Sequence, residues 1–261
     1  MELSSVKIIK DSIYNGNRLT TFELEYPRYI HPEVMTHRVF SRNAQSSRAI
    51  PVKKSIELIE SDEWYPYFMK NKPGMSAEET LNTFDIANAK GLWKKAKREA
   101  INNARYLMNL GVHKQVVNRL IEPFSKIKVI LTATEFDNFF KLRCHPAAQQ
   151  EIQEIALKMK SAMYESLPNK LDIGEWHLPY ITFEDEVWPI AAQKALSTAR
   201  CARVSYLNHN GTRDPNKDID LHNQLLAEKH MSPFEHVATP SAINEFRGNF
   251  KGWMQYRKEV E

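Results

Sequence analysis

Two patterns in the sequence predict an α+β fold, a twisted and mainly antiparallel sheet flanked by helices, with a helical lobe. Residues 3–29 alternate apolar and polar groups around Asn15-Gly16, a pair that favours the two-residue turns of β-hairpins. Residues 76–110 and 147–166 instead repeat apolar side chains at helical spacing. At 261 residues the chain suits one sizeable core, so residues 1–261 are expected to form a single domain.

In the hairpin, Val6, Ile8, Leu19, Phe22 and Leu24 are expected to supply the buried face. Pro32 favours the first position of a short helix, where its missing N–H costs nothing. Met35 and Val39 then repeat at helical spacing, and Glu33, His37 and Ser41 fall on one polar face. The chain leaves that helix through a loop, Asn43 to Arg48. Residues 51–75 hold Pro51, Pro66, Pro73 and Gly74 among aromatics and read as a connector with little regular structure. A helix from Ser76 to Leu110 opens on a Ser76/Glu79 capping box and closes at Gly111.

A shorter helix, His113 to Ile121, stops before Pro123, with Val116, Val117, Leu120 and Ile121 on its apolar side. Ile127 to Leu131 is apolar and β-branched but too short to assign. Ala148, Ile152, Ile155, Ala156, Met159 and Met163 then form the stripe of a helix over Ala147 to Ser166. Residues 168–190 read as an irregular crossover, followed by helices at about 189–203 and 216–230 and a basic aromatic tail.

Apolar residues at 42% and charged residues at 26% fit a globular protein. The net charge of +4 suits anionic small ligands as well as nucleic acid. Cys144 and Cys201 are too few for a disulfide framework or a thiolate metal site, so a reduced compartment and no metal are expected. No apolar leader is visible, and no run approaches the roughly 18 residues of a membrane span. A cytoplasmic protein without a membrane partner is expected.

Three strings carry chemistry. The first, residues 36–48, joins hydroxyls, backbone N–H groups and Arg48 in an arrangement able to grip a phosphate. From spacing alone it reads more readily as a helix end with local caps and a solvated face. Separately, Gln115, Arg119 and Glu122 share one face of a short helix, where Arg119 and Glu122 also make an ordinary solvated ion pair. The second string spans 132–153, where Phe136, Phe139 and Phe140 bury one side and leave Asn138 and Arg143 on neighbouring turns. Cys144 beside His145 does not imply pairing in space, so Cys144 is read as structural. The third joins 202–206 to 230–236, in which Ser232 also serves as a simple turn cap before Pro233.

The first string resembles the signature of the flavin-dependent thymidylate synthases, in which His37, Arg38, Ser41, Asn43, Ser46 and Arg48 fall in register. Thr36 stands where that family usually has its first arginine, and Ala44 and Ser47 replace the usual glutamate and glycine. The second string is similar through Asn138, Arg143, Ala148, Gln149, Glu151 and Ile152, and Arg119 with Pro123 keeps a further spacing. The third resembles family strings that usually precede the signature, so the chain resembles a circularly rearranged member of a longer branch.

The resemblance implies reductive methylation of dUMP to dTMP, with FAD as cofactor, NADPH as reductant and methylenetetrahydrofolate as carbon donor. It places Glu33, Ser46, Ser47, Arg48, Arg119 and Arg143 on the nucleotide, with Arg143 and His230 at the reacting centre. It places His37, Arg38, Asn43, Asn138, Ser205, Ser232 and Glu235 around FAD. It further implies a homotetramer with sites where subunits meet and no nucleic-acid partner. Two rivals remain: a dUMP hydroxymethylase on the same fold, and a nucleic-acid-binding module using Arg38, Arg42, Arg48, Lys53 and Lys54.

Overall fold

Asn15 and Gly16 both take positive φ, 44° and 79°, the geometry that lets a two-residue turn follow the twist of its strands. They join β1 (Ser5–Tyr14) to β2 (Asn17–Pro27) in the hairpin that the alternation predicts. The computed structural model describes residues 2–74, 77, 79–204 and 214–261. After β2 come α1 (His31–Met35), β3 (Ser41–Ala44), α2 (Val52–Ser61), α3 (Thr83–Asn109) and α4 (Lys114–Ile121). They are followed by β4 (Lys126–Ala133), α5 (Asp137–Arg143), α6 (Gln150–Glu165) and β5 (Asn169–Lys170). Next are α7 (Ile190–Ala202), α8 (Pro215–Ala227) and β6 (Ala238–Pro240). Short β7 (Phe246–Arg247), β8 (Phe250–Lys251), β9 (Trp253–Gln255) and α9 (Arg257–Val260) complete the chain.

The main sheet has the order β3-β4-β2-β1-β5, antiparallel except for the β1–β5 pair. Its α+β character agrees with the sequence reading. Strand β4, which is too short to assign from sequence, becomes regular because both of its edges are paired, to β2 and to β3. The sheet is buried on both faces, not one. Phe22, Leu24, Tyr26, Val129 and Leu131 pack with Phe136, Phe139 and Ile152 from α5, its approach and α6. Leu19 has the opposite parity to Phe22 and lies on the other face, with Phe250 and Trp253.

The basic aromatic tail forms short strands ahead of α9: β9 pairs with β6, and Trp253 Nε1 donates to Asn17 O at 3.2 Å, which docks the tail on the hairpin. The connector 51–75 contains a helix, α2, because Val52, Ile56 and Ile59 lie one turn apart and bury against Ile101, Val117 and Ile121 in the helical lobe. On α4 only part of the expected apolar side is inside; Val116 and Leu120 face solvent. The long helix starts at Thr83, where Asn82 caps the Asp85 N–H at 2.9 Å; Ser76, the cap read from sequence, lies outside the described residues. The signature also departs from expectation. Helix α1 ends at Met35, so His37 and Ser41 leave the polar face assigned to them, and Ser41 to Ala44 pair with Val129 to Thr132. Backbone bonding to a buried strand wins over weak helix spacing. Among the described residues, no helix is long and apolar enough to cross a membrane.

A buried polar chain runs through the sheet. Ser12 Oγ and His177 Nδ1 are 2.9 Å apart, His177 Nε2 and Thr21 Oγ1 2.8 Å, Thr21 and Thr132 2.7 Å, and Thr132 and His236 Nδ1 2.8 Å. Burial pushes both imidazoles toward the neutral form, His236 down to about 3. The unfolded chain therefore takes up a proton first. Stability is complete above the ordinary imidazole value and is lost as pH falls below it, for His236 from about 6.5 toward 3 by up to about 1.4 kcal/mol per pH unit. His236→Gln should have a shallower loss of urea-unfolding free energy across that window; an unchanged slope would remove His236 from the account.

Candidate functional site

Arg143 closes α5 one turn beyond the buried Phe139, so both side chains meet His37. From there its guanidinium reaches back to the segment around α1. Nε donates to His37 Nε2 at 3.1 Å, Nη1 to Glu33 Oε2 at 3.4 Å and Nη2 to Thr36 Oγ1 at 3.2 Å. His37 is held by rings, edge-on to Phe139 at 4.9 Å and stacked on Phe40 at 5.7 Å between centroids. As an acceptor His37 must be neutral at Nε2, and desolvation, then Arg143 and Arg42, push its pKa down. Desolvation pushes the Glu33 carboxyl up against the opposing pull of Arg143. The result is a half-buried cation with fixed direction.

Arg42 supports this arrangement from the neighbouring strand. Its Nη1 donates to the carbonyls of Val34, Met35 and His37 at 3.3, 3.0 and 3.2 Å, satisfying the end of α1. Thr36 donates to Glu33 O at 2.6 Å. Two clefts adjoin the cluster and share Leu142. One, of about 390 Å³, is lined by His37, Arg38, Phe40, Asn138 and Phe139. The other, of about 490 Å³, is lined by Arg143, Lys141, His145 and Ala148.

The outer side of β3 meets the C-terminal string. Asn43 Nδ2 donates to Cys201 O at 2.8 Å, and Ser232 Oγ donates to Asn43 Oδ1 at 3.2 Å. Asn249 and Gln255 donate to Ser41 Oγ at 3.0 and 2.9 Å, so the tail closes over the signature. The Glu235 carboxylate is occupied by Arg257 at 2.6 Å. Ser205 lies outside the described residues. His230 is exposed, 3.5 Å from Glu228, and lines neither cleft.

Beyond β3 the chain turns over Ser46 to Ile50. Asn118 holds that turn from α4, donating to Ser47 O at 2.7 Å and Ile50 O at 2.8 Å. Ser47 is buried and Arg48 is exposed. Arg119 is exposed and ion-paired to Glu122 at 3.2 Å. Arg48 and Arg119 line neither cleft beside Arg143. Cys144 packs at the edge of the first core, where burial pushes its thiol up and makes it a poorer nucleophile. Among the described residues, no group of three or more His, Cys, Asp or Glu side chains is placed to hold a metal ion.

The sequence reading names Glu33 and Arg143 for the nucleotide and His37 for the flavin, which the structure brings together, and Asn43 and Ser232, which it joins. It misses Arg42 and Asn118, whose roles are backbone contacts between distant segments and leave no local pattern. Arg42→Met should unbind three carbonyls and cost about 1–3 kcal/mol in urea unfolding, with faster amide exchange at His37 and Phe40. A loss below about 0.5 kcal/mol would mean that water replaces the guanidinium.

Residues 19–169 match the family model described as Thy1, thymidylate synthase complementing protein. The strings at 202–206 and 230–236 lie beyond that match. A protein of Pyrococcus furiosus described as a flavin-dependent thymidylate synthase is 29% identical over 146 residues, which are 55% of this chain and 53% of that relative. The chain thus spans about half the length of the relative it matches. In fold it is similar to the crystal structure of a UMP/dUMP methylase, PolB, from Streptomyces cacaoi bound with 5-Br UMP. The TM-score is 0.51 at 17% identity, covering 62% of this chain and 89% of that one. Signature, fold and a match over more than half of its residues agree: the chain belongs to the thymidylate synthase complementing protein family.

Proposed function

We propose that this chain methylates the uracil ring of dUMP in a flavin-dependent reaction, as a single catalytic domain. The observation that carries the reading is the Arg143 cluster: a guanidinium pointed by Glu33, His37 and Thr36 and flanked by two clefts. A guanidinium keeps its proton and stabilises negative charge on a bound pyrimidine, which raises the nucleophilicity of its C5. Preorganisation by three partners spares the cost of ordering the side chain during reaction. The names of the relatives, a flavin-dependent thymidylate synthase and a UMP/dUMP methylase, point to the same chemistry.

The first cleft would take part of a flavin through the polar groups of Arg38 and Asn138, over a base in which Phe40 and Phe139 are buried. His37, Arg38 and Asn138 would hold the FAD from this side, Asn43 from β3, and Ser205, Ser232 and Glu235 from the C-terminal string. Bound there, FAD supplies the reducing equivalents, with NADPH as their source and methylenetetrahydrofolate as the carbon donor. Ser46, Ser47, Arg48 and Arg119 would take the nucleotide phosphate, Arg143 and Glu33 the base. His230 would serve the reacting centre. Arg48 and Arg119 line neither cleft beside Arg143, so a pocket holding all three would be completed by another copy of the chain, as in a homotetramer with shared sites. Two free cysteines suit a cytoplasmic setting. The rival nucleic-acid reading loses one of its cations, since Arg42 is spent on helix carbonyls.

The test is incubation with dUMP, methylenetetrahydrofolate and NADPH. A yellow preparation and a methylated product are expected; a hydroxymethylated product, read by mass, would replace this reading with the hydroxylating one. Arg143→Ala should abolish turnover while flavin stays bound, and near-normal turnover would remove Arg143 from ring activation. Arg48→Ala should weaken dUMP binding about tenfold or more by calorimetry. An unchanged dissociation constant would take Arg48 out of the phosphate site.

A further inference from the structure

A cavity of about 250 Å³ lies on the inner side of the Ser46–Ile50 turn, walled by residues of β2, β4, α2 and α4 and apart in lining from the clefts at Arg143. Its floor is apolar, built from Ile59, Trp64, Ile121 and Phe124. Its charged groups sort into paired and unpaired. Lys126 is tied to Asp62 at 2.9 Å and Glu122 to Arg119 at 3.2 Å. That leaves Arg28, Lys128 and Glu25, a net single positive charge. Arg28 spends Nε on Ser125 Oγ at 3.1 Å and Nη1 on Gln45 O at 3.2 Å, and burial pushes its pKa down. Lys128 faces Glu25 across the β2–β4 register without an ion pair among the described residues.

Asn118, also in the wall, is 1% exposed. Its amide orientation is set by two carbonyl acceptors, which leaves Oδ1 buried without a donor. An unpaired buried acceptor costs about 1–3 kcal/mol. That atom is sealed from the cavity, so the apolar floor and the surplus cation describe the complementary ligand. We propose that this cavity is a second small-molecule site, for a planar aromatic monoanion. Through Asn118 and Ser47 such a ligand would touch the turn where the proposed function places the nucleotide phosphate, but its binding does not depend on that reading.

Calorimetry of the full chain with 6-hydroxy-2-naphthoate tests it, without nucleotide or flavin added. One-to-one saturable binding is expected, weakened about tenfold or more by Lys128→Gln and by replacing the probe with its uncharged methyl ester. Ser55→Trp, which fills the cavity from α2, should abolish it, with thermal melts showing that both variants fold. Absence of saturable binding to the unmodified chain would overturn the proposal. So would binding that Lys128→Gln and the ester leave within about twofold; if Ser55→Trp fails to fold, those two comparisons decide.

Discussion

Four backbone pairs between β3 and β4, from Ser41 with Thr132 to Ala44 with Val129, locate everything else in the candidate site. Upstream of that pairing, Phe40 is buried and His37 stacks on it, so the segment that meets Arg143 is held at one end of the strand. Downstream, Gln45 N donates to Lys128 O at 2.9 Å and the chain turns into Ser46 to Ile50. On the side of β3 away from α1, Asn43 takes up Ser232 and Cys201 O. One short strand thus sets the spacing between the Arg143 cluster, the C-terminal string and the turn that carries Arg48. An edge strand of this length is stable only because β4 is itself buried and paired on its other side.

The charged groups obey the same economy of partners. Arg143 keeps its direction by donating to a neutral imidazole, a carboxylate and a hydroxyl, leaving no second cation in the immediate contact set. Thr36 is informative here: where the family usually places an arginine, this chain has a hydroxyl that accepts from Arg143. The substitution removes a cation but gives Arg143 a partner. Arg42 remains close enough to depress the His37 pKa, which favours the neutral acceptor form.

Behind the C-terminal string lies a denser network. Arg200 donates to both oxygens of Asp185 at 2.6 and 2.8 Å and to Asp218 at 3.1 Å, while Arg203 reaches Asp218 at 2.6 Å. Arg200 holds the Asp185 carboxyl well below the usual carboxylate range. These pairs clamp α7 to α8 and so fix the carbonyl of Cys201 that Asn43 reads. Arg203, part of the string that resembles a family motif, has a structural partner in Asp218. A buried pair of this kind is costly to break by removing one member, since the other is left uncompensated.

The hairpin, the helical stripes and the candidacy of Glu33, His37 and Arg143 as individual residues were legible because each depends on short-range pattern or on residue types with one dominant chemistry. Asn15-Gly16 specifies its turn whatever surrounds it, and Arg143 is a guanidinium in any fold. Strand β3, helix α2 and the second buried face of the sheet were not legible. Their stability comes from partners far along the chain: Val129–Thr132 for β3, Ile101 and Val117 for α2, Trp253 for Leu19. The same holds for Arg42 and Asn118, which act on carbonyls brought near only by folding. By itself the sequence determined which side chains this protein has for binding an anion. Only the tertiary structure decided which of them face one another, because hydrogen bonds and packing act across space, not along the chain.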